Sequence, residues 1–369
     1  MENRMKRRAS FIAAIAAAGM VLAACGGDSG ATNETTDGAF PTPNGGEVRL
    51  YNWTDYIDPQ LLKDFTAETG IKVILDTFDS NETMLAKLQA GGTGYDIVVP
   101  SDYAVKQMID LGLAIDIKVN TFPNASLIKD NLMDVYWDPG RTYSAPYMYG
   151  TTGIAVNTKN ADAAAIKSWK DFFAADDLTA VDVLKDQTEV VSAALRAVGV
   201  PTVDLCTTDK SKYALAQTLL ENFKPKIINS DGGIERMTKE SSIVRMAWNG
   251  SSHRMTVEVP EIKYVYPTEG LNLWADNFVV PVGAPNIDNA KIFINWMMSA
   301  EIAGKASNFS GYDNGIKGSD VFMDEALKNN PAVVMSAEDS ALVSPTPNCG
   351  LEARDLYTEV FTTWTTSQS

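Results

Sequence analysis

Strand and helix patterns alternate over residues 47–112, and this alternation is the feature that most constrains the fold. An apolar strand begins at Val48. Asp58 is placed to cap the helix that follows, with Pro59 in its first turn and Gly70 at its end. Such a unit predicts a strand whose carboxyl end leads directly into a helix.

Two more units of the same kind follow. Residues Lys72–Phe78 indicate a strand, and Ser80 opens the next helix. Residues 95–100 form a near-continuous apolar run, which is typical of a strand buried in a parallel sheet. Ser101 is placed to cap a third helix that ends at Gly112. Repeated strand–helix units of this length predict a doubly wound α/β domain.

A second region continues the alternation. Residues 147–157 predict a strand that crosses into this region, and residues 272–281 predict a return crossing. Helical patterns lie at 169–173, 189–198, 213–223 and 290–298, and strand patterns lie near 227–228 and 243–248. Two α/β lobes joined by more than one crossing enclose a cleft, where ligands tend to bind. We therefore predict a two-lobed α/β fold, with residues 46–152 and 275–321 in lobe 1 and residues 153–274 and 322–369 in lobe 2.

The first 24 residues predict an export signal. Four Lys and Arg residues between positions 4 and 8 precede an apolar stretch, residues 11–22, that is too short to span a bilayer. The sequence from Leu22 to Cys25 resembles the lipobox of bacterial lipoproteins, which implies cleavage before Cys25 and lipidation of its thiol. Plain secretion is the alternative. Residues 25–45 are rich in small and polar residues and predict a flexible tether.

The chain is strongly acidic, with a formal net charge of −16. This charge argues against nucleic acid as a partner, because phosphate binding needs concentrated Lys and Arg. An acidic protein raises the local concentration of cations, so the charge fits a cationic ligand. Solubility is the simpler explanation, and charge alone does not separate the two.

Two cysteines remain beyond the lipobox, Cys206 and Cys349. An exported protein can oxidise such a pair. The sequence gives no distance between them, so their pairing stays open at this point.

Aromatic and acidic side chains recur in the loops where predicted strands end and helices begin. The first such run is 52–56, and five further loops repeat its chemistry. These loops carry Trp53, Asp55 and Tyr56; Ser101 with Tyr103; Asp186 with Glu189; Trp248; Trp274 with Asp276; and Tyr312. Aromatic faces and carboxylates together suit an organic cation.

These residues also have structural interpretations. The spacing of Asp186 and Glu189 is that of a helix capping box, and a helix N-terminus would hold both carboxylates ionised. Trp248 and Trp274 fit core positions. However, Asp276 follows Trp274 by two residues, and a buried charge needs a partner.

Several spaced motifs resemble the spermidine/putrescine-binding proteins of ABC transporters. The motifs are Leu50–Leu75, residues 79–84, Val98–Ser101 and Trp248–Ser251. The resemblance covers residues 47–365 and is weakest after Asp320. It implies a solute-binding protein of two lobes with its ligand in the cleft, and we expect neither a cofactor nor a metal.

The resemblance also implies roles for individual residues. An aromatic box would comprise Trp53, Tyr56, Tyr103, Trp248, Trp274 and Tyr312, with amine-binding carboxylates at Asp186, Glu189 and Asp276 and polar contacts from Thr54, Ser101 and Ser230. The chain departs from the family at three places. Asp55 stands where the family has a longer glutamate, and the segment Pro347–Asn348 lacks a late glutamine. Lys185 stands where the family tends to have an acid, although strand alternation could point it away from the cleft.

We therefore predict a monomeric, lipid-anchored protein outside the bacterial cell membrane that captures spermidine or putrescine and delivers it to an ABC permease. A lipid-anchored hydrolase is one alternative, but the chain has a single histidine, His253, and neither Gly-x-Ser-x-Gly nor His-Glu-x-x-His. A different solute is another. An amino acid would call for an Arg to bind its carboxylate, and the predicted cleft segments contain none, so a sugar is the better of these alternatives.

Overall fold

The alternation of strands and helices begins at Glu47 in the computed structural model, which describes residues 39–91, 94–175, 180–229 and 232–368. The strands are β1 (Glu47–Trp53), β2 (Lys72–Phe78), β3 (Ile97–Val98), β4 (Asp134–Val135), β5 (Asp138–Pro139), β6 (Ser144–Asn157), β7 (Val181–Leu184), β8 (Ile227–Asn229), β9 (Val244–Trp248), β10 (Ile262–Val265), β11 (Leu271–Val279), β12 (Asp313–Asn314) and β13 (Val343–Pro345). The α-helices are α1 (Pro59–Thr69), α2 (Asn81–Gln89), α3 (Asp102–Asp110), α4 (Ala161–Ala164), α5 (Trp169–Phe173), α6 (Gln187–Ala197), α7 (Lys210–Asn222), α8 (Ile234–Thr238), α9 (Asn249–Glu258), α10 (Ile287–Met297), α11 (Ala300–Ser310), α12 (Glu325–Lys328), α13 (Ala337–Ser340) and α14 (Leu351–Ser367).

The main sheet has two parallel parts joined by long antiparallel strands. Its order is β2-β1-β3-β11-β6-β9-β7-β8. Strand β1 is parallel to β2 and β3, and β7 is parallel to β8 and β9. Strand β11 runs antiparallel to β3 and β6, and β6 runs antiparallel to β9. The strands predicted at the two crossings are therefore present as β6 and β11, and the predicted α/β class is confirmed.

The first two helices begin where their sequence signals predict. The Asp58 side chain accepts a hydrogen bond from the backbone N–H of Gln60 at the start of α1, and Gly70 ends that helix with a φ of 72°. Glycine suits this left-handed position because it has no Cβ. The Ser80 side chain accepts a hydrogen bond from the backbone N–H of Thr83 at the start of α2.

The third unit differs from its prediction in two respects. Only Ile97 and Val98 of the apolar run form strand β3. Ser101 occupies the N-cap position of α3, but its side chain makes no capping hydrogen bond. The Ser101 hydroxyl donates instead to Asp276 at 2.7 Å, so it serves the cleft and not the helix.

Two large apolar clusters form the interior. One contains residues from 48–148 and 274–316, including Phe65 and Phe293. The other contains residues from 154–271 and 349–364, including Trp169 and Trp364. Trp248 packs against both clusters from a half-buried position.

The two remaining cysteines form a disulfide. Cys206 and Cys349 are bonded across a sequence separation of 143 residues. Cys349 lies just before α14, and Tyr357 on that helix donates a hydrogen bond to the carbonyl oxygen of Leu205, next to Cys206. The bond thus fastens the C-terminal helix to the second apolar cluster.

Replacing both Cys206 and Cys349 by serine should lower the free energy of unfolding by about 4 kcal/mol, because the cross-link closes a long loop in the unfolded chain. Thermal unfolding followed by calorimetry measures this. Adding a reducing agent should lower the melting temperature of the parent protein and leave that of the double variant unchanged. Equal melting temperatures for the parent protein and the double variant in the absence of a reducing agent would contradict the prediction.

No helix within the described ranges is both long enough and apolar enough to cross a membrane. The predicted signal (1–24), Cys25, most of the predicted tether (25–45) and Ser230 lie outside the described residues.

Candidate functional site

A cavity of about 220 Å³ lies among the loops that the sequence singled out. One water needs only about 15 Å³ of such space, so the cavity has room for a solute of many atoms. It brings together twelve of the thirteen predicted ligand contacts, namely Trp53, Thr54, Asp55, Tyr56, Ser101, Tyr103, Asp186, Glu189, Trp248, Trp274, Asp276 and Tyr312. Their roles in binding remain a prediction, as does that of Ser230.

Aromatic rings form much of the cavity wall and hold one another in place. Trp53 donates a hydrogen bond from its indole Nε1 to the carbonyl oxygen of Val99 at 2.9 Å. The ring of Tyr312 lies edge-on to both Trp274 and Tyr56, with centroid separations of 5.0 and 5.7 Å. Aromatic pairs favour this arrangement. The walls are therefore fixed surfaces against which a methylene chain can pack.

Asp276 is the best-connected acid of the site. Its Oδ1 accepts a hydrogen bond from the Ser101 hydroxyl at 2.7 Å, and its Oδ2 accepts one from the Tyr56 hydroxyl at 2.8 Å. The side-chain amide of Asn81 donates to the Ser101 oxygen at 3.1 Å, which orients that hydroxyl. The register of β11 shifts between Ala275 and Asn277, and such a bulge can redirect a side chain. Asp276 is buried, yet within the part of the chain that the structure describes its hydrogen-bond partners include no cationic side chain.

Asp186 and Glu189 form a second acidic position at the start of α6. The predicted cap is confirmed, because Asp186 accepts a hydrogen bond from the backbone N–H of Glu189 at 2.9 Å. The reciprocal hydrogen bond of a capping box, from the backbone N–H of Asp186 to the Glu189 side chain, was wrongly predicted. The Glu189 carboxylate instead accepts a hydrogen bond from the side-chain amide of Asn272 at 3.0 Å. Both acids line the cavity while the helix keeps its cap, so the structural and functional interpretations coexist.

Burial raises the pKa of each of these acids, so the expectation that the helix N-terminus holds Asp186 and Glu189 ionised is wrong. Desolvation raises the pKa of Asp276 to about 7, against the hydrogen bonds from Ser101 and Tyr56, which lower it. Desolvation, followed by the charge of Glu82, raises the pKa of Asp186 to about 7. Desolvation and the neighbouring Asp186 raise the pKa of Glu189 to about 8. A bound cation would offset both effects, because it supplies the missing opposite charge.

Asp55 differs from the other acids. Its carboxylate forms an ion pair with Arg254, with 3.0 Å between Oδ2 and Nη2. Its φ of 56° is left-handed, a conformation that aspartate tolerates better than most residues. The Asp55 side chain is 60% exposed and that of Arg254 is 31% exposed. The pair lies at the solvent-facing rim of the cavity.

Arg254 also corrects the sequence analysis. The predicted cleft segments contained no arginine, but Arg254 lines the cavity from α9. It follows Ser251 by three residues, so the two share one face of the helix. Extending the Trp248–Ser251 motif by one helical turn would have found it. The argument that set aside ligands bearing a carboxylate is therefore wrong as stated.

Other cavity residues were absent from the predicted contacts. They are Phe78, Asp79, Asn81, Thr188, Gly232, Ile234, Ser251, Arg254 and Thr346. Thr346 reaches the cavity from the end of β13, one residue before the segment that lacks the family's glutamine. Lys185 is exposed and is not part of the lining. Within the described ranges, no cluster of three or more His, Cys, Asp or Glu is arranged to hold a metal.

Two α/β halves around a cleft of aromatic rings and buried acids define a class of protein, the two-lobed solute-binding proteins. Residues 60–335 match the family of bacterial extracellular solute-binding proteins. The chain belongs to this family.

Two relatives and one solved structure are similar to this chain over most of its length. The chain is similar to the spermidine/putrescine-binding periplasmic protein of Escherichia coli K12, with 35% identity over 71% of this chain and 76% of that one. It is similar to the putrescine/agmatine-binding protein of Pseudomonas aeruginosa, with 31% identity over 85% of this chain and 90% of that one. The solved spermidine/putrescine substrate-binding protein of Streptococcus pneumoniae has a TM-score of 0.71 and 29% identity, covering 88% of this chain and all of that one.

Proposed function

We propose that this protein captures a polyamine in its cleft and delivers it to an ABC permease. The observation that carries the proposal is a set of three carboxylates in a cavity with aromatic walls, of which Glu189 and Asp276 are buried and Asp186 is half-buried. Buried acids of this kind are costly unless a cation pairs with them. A polyamine supplies several ammonium groups at fixed spacing, joined by methylene chains that pack against the rings.

The relatives support this ligand class, since their names specify spermidine, putrescine or agmatine. We also infer that the two apolar clusters are the cores of two lobes, with residues 46–152 and 275–321 in one and residues 153–274 and 322–369 in the other. Trp274, the last residue before the second boundary, packs in the first cluster. Closure of these lobes around a ligand would use binding energy to select the form that the permease recognises.

The protein acts by binding and not by catalysis in this proposal. The one histidine, His253, is hydrogen-bonded to Asn330 and is not part of the cavity lining. Burial lowers the pKa of His253, in keeping with a structural role. This placement supports transport over the hydrolase alternative.

Thermal unfolding with a panel of solutes tests the proposal. The chain from Phe40 onward forms one compact unit and is the protein to use. Putrescine or spermidine at 1 mM should raise its melting temperature by several degrees, because a ligand that binds only the folded state stabilises it. Maltose and 4-aminobutyrate, which represent the sugar and amino-carboxylate alternatives, should not. A shift with one of these and none with any amine would overturn the proposal.

We further propose that Cys25 carries a lipid that tethers the protein to the outer face of the cell membrane, where it works as a monomer. Replacing Cys25 by alanine should move the protein from the membrane fraction to the soluble exported fraction. An unchanged membrane fraction would contradict the tether.

Gly250 leaves room for the Tyr312 ring in the aromatic wall. Replacing Gly250 by alanine should weaken polyamine binding roughly tenfold, because ring contacts of this kind are worth about 1–2 kcal/mol. A Cβ at this position would lie 2.4 Å from the Tyr312 ring. The helix itself would favour alanine, so a loss of affinity points to the displaced ring. The matched control is Gly350→Ala, where a Cβ meets nothing within 4 Å. Equal affinities for the two variants would exclude this role of Gly250.

A further inference from the structure

Most of the charged side chains that line the cavity are acidic. Within the described lining, five residues are acids and one is a cation. The acids are Asp55, Asp79, Asp186, Glu189 and Asp276, and the cation is Arg254. A site for a polycation would be expected to exclude positive side chains, so the presence of this arginine needs an explanation.

Arg254 is held in place by several contacts. Its guanidinium pairs with Asp55 at 3.0 Å and lies 5.8 Å from the centroid of the Phe309 ring. Its Cγ would lie 3.4 Å from a Cβ placed on Gly311, so its stem packs beside the residue that precedes Tyr312. Arg254 therefore belongs to the Tyr312 side of the cavity.

The other acids lie away from Arg254. Asp186 and Glu189 are at the start of α6, where Glu189 accepts a hydrogen bond from Asn272 on β11 at 3.0 Å. Asp276 lies four residues further along β11 and accepts a hydrogen bond from Tyr56, whose ring is 5.7 Å from that of Tyr312, so its carboxylate lies between the start of α6 and the Tyr312 side. A ligand with two ammonium groups can therefore pair one with Asp276 and the other with the acids at the start of α6.

A third ammonium on the Tyr312 side meets a different environment. Two acids of the lining remain, Asp55 and Asp79. Asp79 follows Phe78, which pairs with Trp53 at the ends of β2 and β1. The acid beside Arg254 is Asp55, whose Oδ2 is 3.0 Å from the guanidinium. Any ammonium close enough to bind this carboxylate is also close to the positive charge of Arg254. Placing like charges together at a binding site lowers the affinity.

We propose that Arg254 is a specificity-determining residue, whose charge occupies the position beside Asp55 that a third ammonium group would need, so that the cleft favours diamines over triamines. This inference rests on the proposed function, because it assumes that the ligand is a polyamine. The guanidinium of Arg254 thus supplies, beside Asp55, the positive charge that the third ammonium group of a longer ligand would bring.

Calorimetric titration of the full chain with putrescine and with spermidine tests the inference through the ratio of their affinities. Arg254→Gln removes the charge and keeps a polar side chain of similar reach. Arg254→Lys keeps the charge. The control is Lys239→Gln, which removes one positive charge from an exposed ion pair with Glu235 outside the cavity.

Arg254→Gln should raise the affinity for spermidine relative to putrescine by about tenfold or more. Arg254→Lys and Lys239→Gln should leave that ratio within about twofold of the parent protein. A ratio that does not move in Arg254→Gln, or that moves equally in Arg254→Lys, would overturn the inference while leaving polyamine binding intact. Failure of the parent protein to bind either amine would overturn both the inference and the proposed function.

Discussion

Replacing Asp276 by asparagine should weaken binding of putrescine and spermidine by about a hundredfold, a loss of roughly 3 kcal/mol. The substitution keeps the shape of the side chain and removes the charge. A buried ammonium then loses its counter-charge, and this loss is larger inside a closed cleft than at a surface. The hydrogen bonds from Tyr56 and Ser101 also lose an ionised acceptor.

Calorimetric titration measures this effect, and Asp288→Asn is a suitable control because Asp288 lies on α10 and is not part of the cavity lining. The control should bind as the parent protein does. If Asp276→Asn also keeps its affinity, the carboxylate does not face the ligand and the assigned geometry of the site is wrong.

Polyamine affinity should rise at least tenfold between pH 5.5 and pH 8.5. Burial raises the pKa values of Asp186, Glu189 and Asp276 to about 7, 8 and 7, so these acids are largely protonated in the free protein at pH 5.5. Alkyl ammonium groups remain charged over this range. Binding must then release protons, and each released proton changes affinity by up to tenfold per pH unit.

The stability of the free protein should follow the opposite trend. The folded-state pKa values of the three acids lie above their unfolded values of about 4, so the folded protein binds more protons. The resulting stability is fully present below about pH 4 and is lost as pH rises through 7 to 8. The melting temperature of the free protein should fall from pH 5.5 to pH 8.5, and the increase caused by putrescine should grow. In Asp276→Asn, both the melting temperature of the free protein and the increase caused by putrescine should change less with pH. An affinity that is independent of pH in the parent protein would contradict the raised pKa values.

Much of the fold could be predicted because local signals and tertiary structure agree. Helix α1 begins and ends at its cap residues, Asp58 and Gly70, because capping depends on a few adjacent residues. Helix α5 has the bounds predicted from its apolar pattern. The strand predicted at 95–100 is shorter than expected, because the backbone N–H of Arg49 on β1 donates to the side chain of Asp96 and not to a backbone carbonyl of this segment.

The site was harder to predict because its contacts join distant parts of the chain. The Ser101 hydroxyl was predicted to cap a helix, but it donates a hydrogen bond to Asp276, 175 residues away. The ion pair between Asp55 and Arg254 spans 199 residues, and no local pattern in the sequence specifies it. Residue types at loop positions predicted a cationic ligand. The partners of each side chain required the three-dimensional structure.

Titration of the parent protein with putrescine, followed by calorimetry at pH 8, tests the central claim most directly. We expect binding of one putrescine per chain, with release of protons that is detected as a different heat in buffers of different ionisation enthalpy. Buried acids paired with ammonium groups require both results. Absence of heat with putrescine, together with an unchanged melting temperature in the presence of putrescine, spermidine or spermine, would contradict the account.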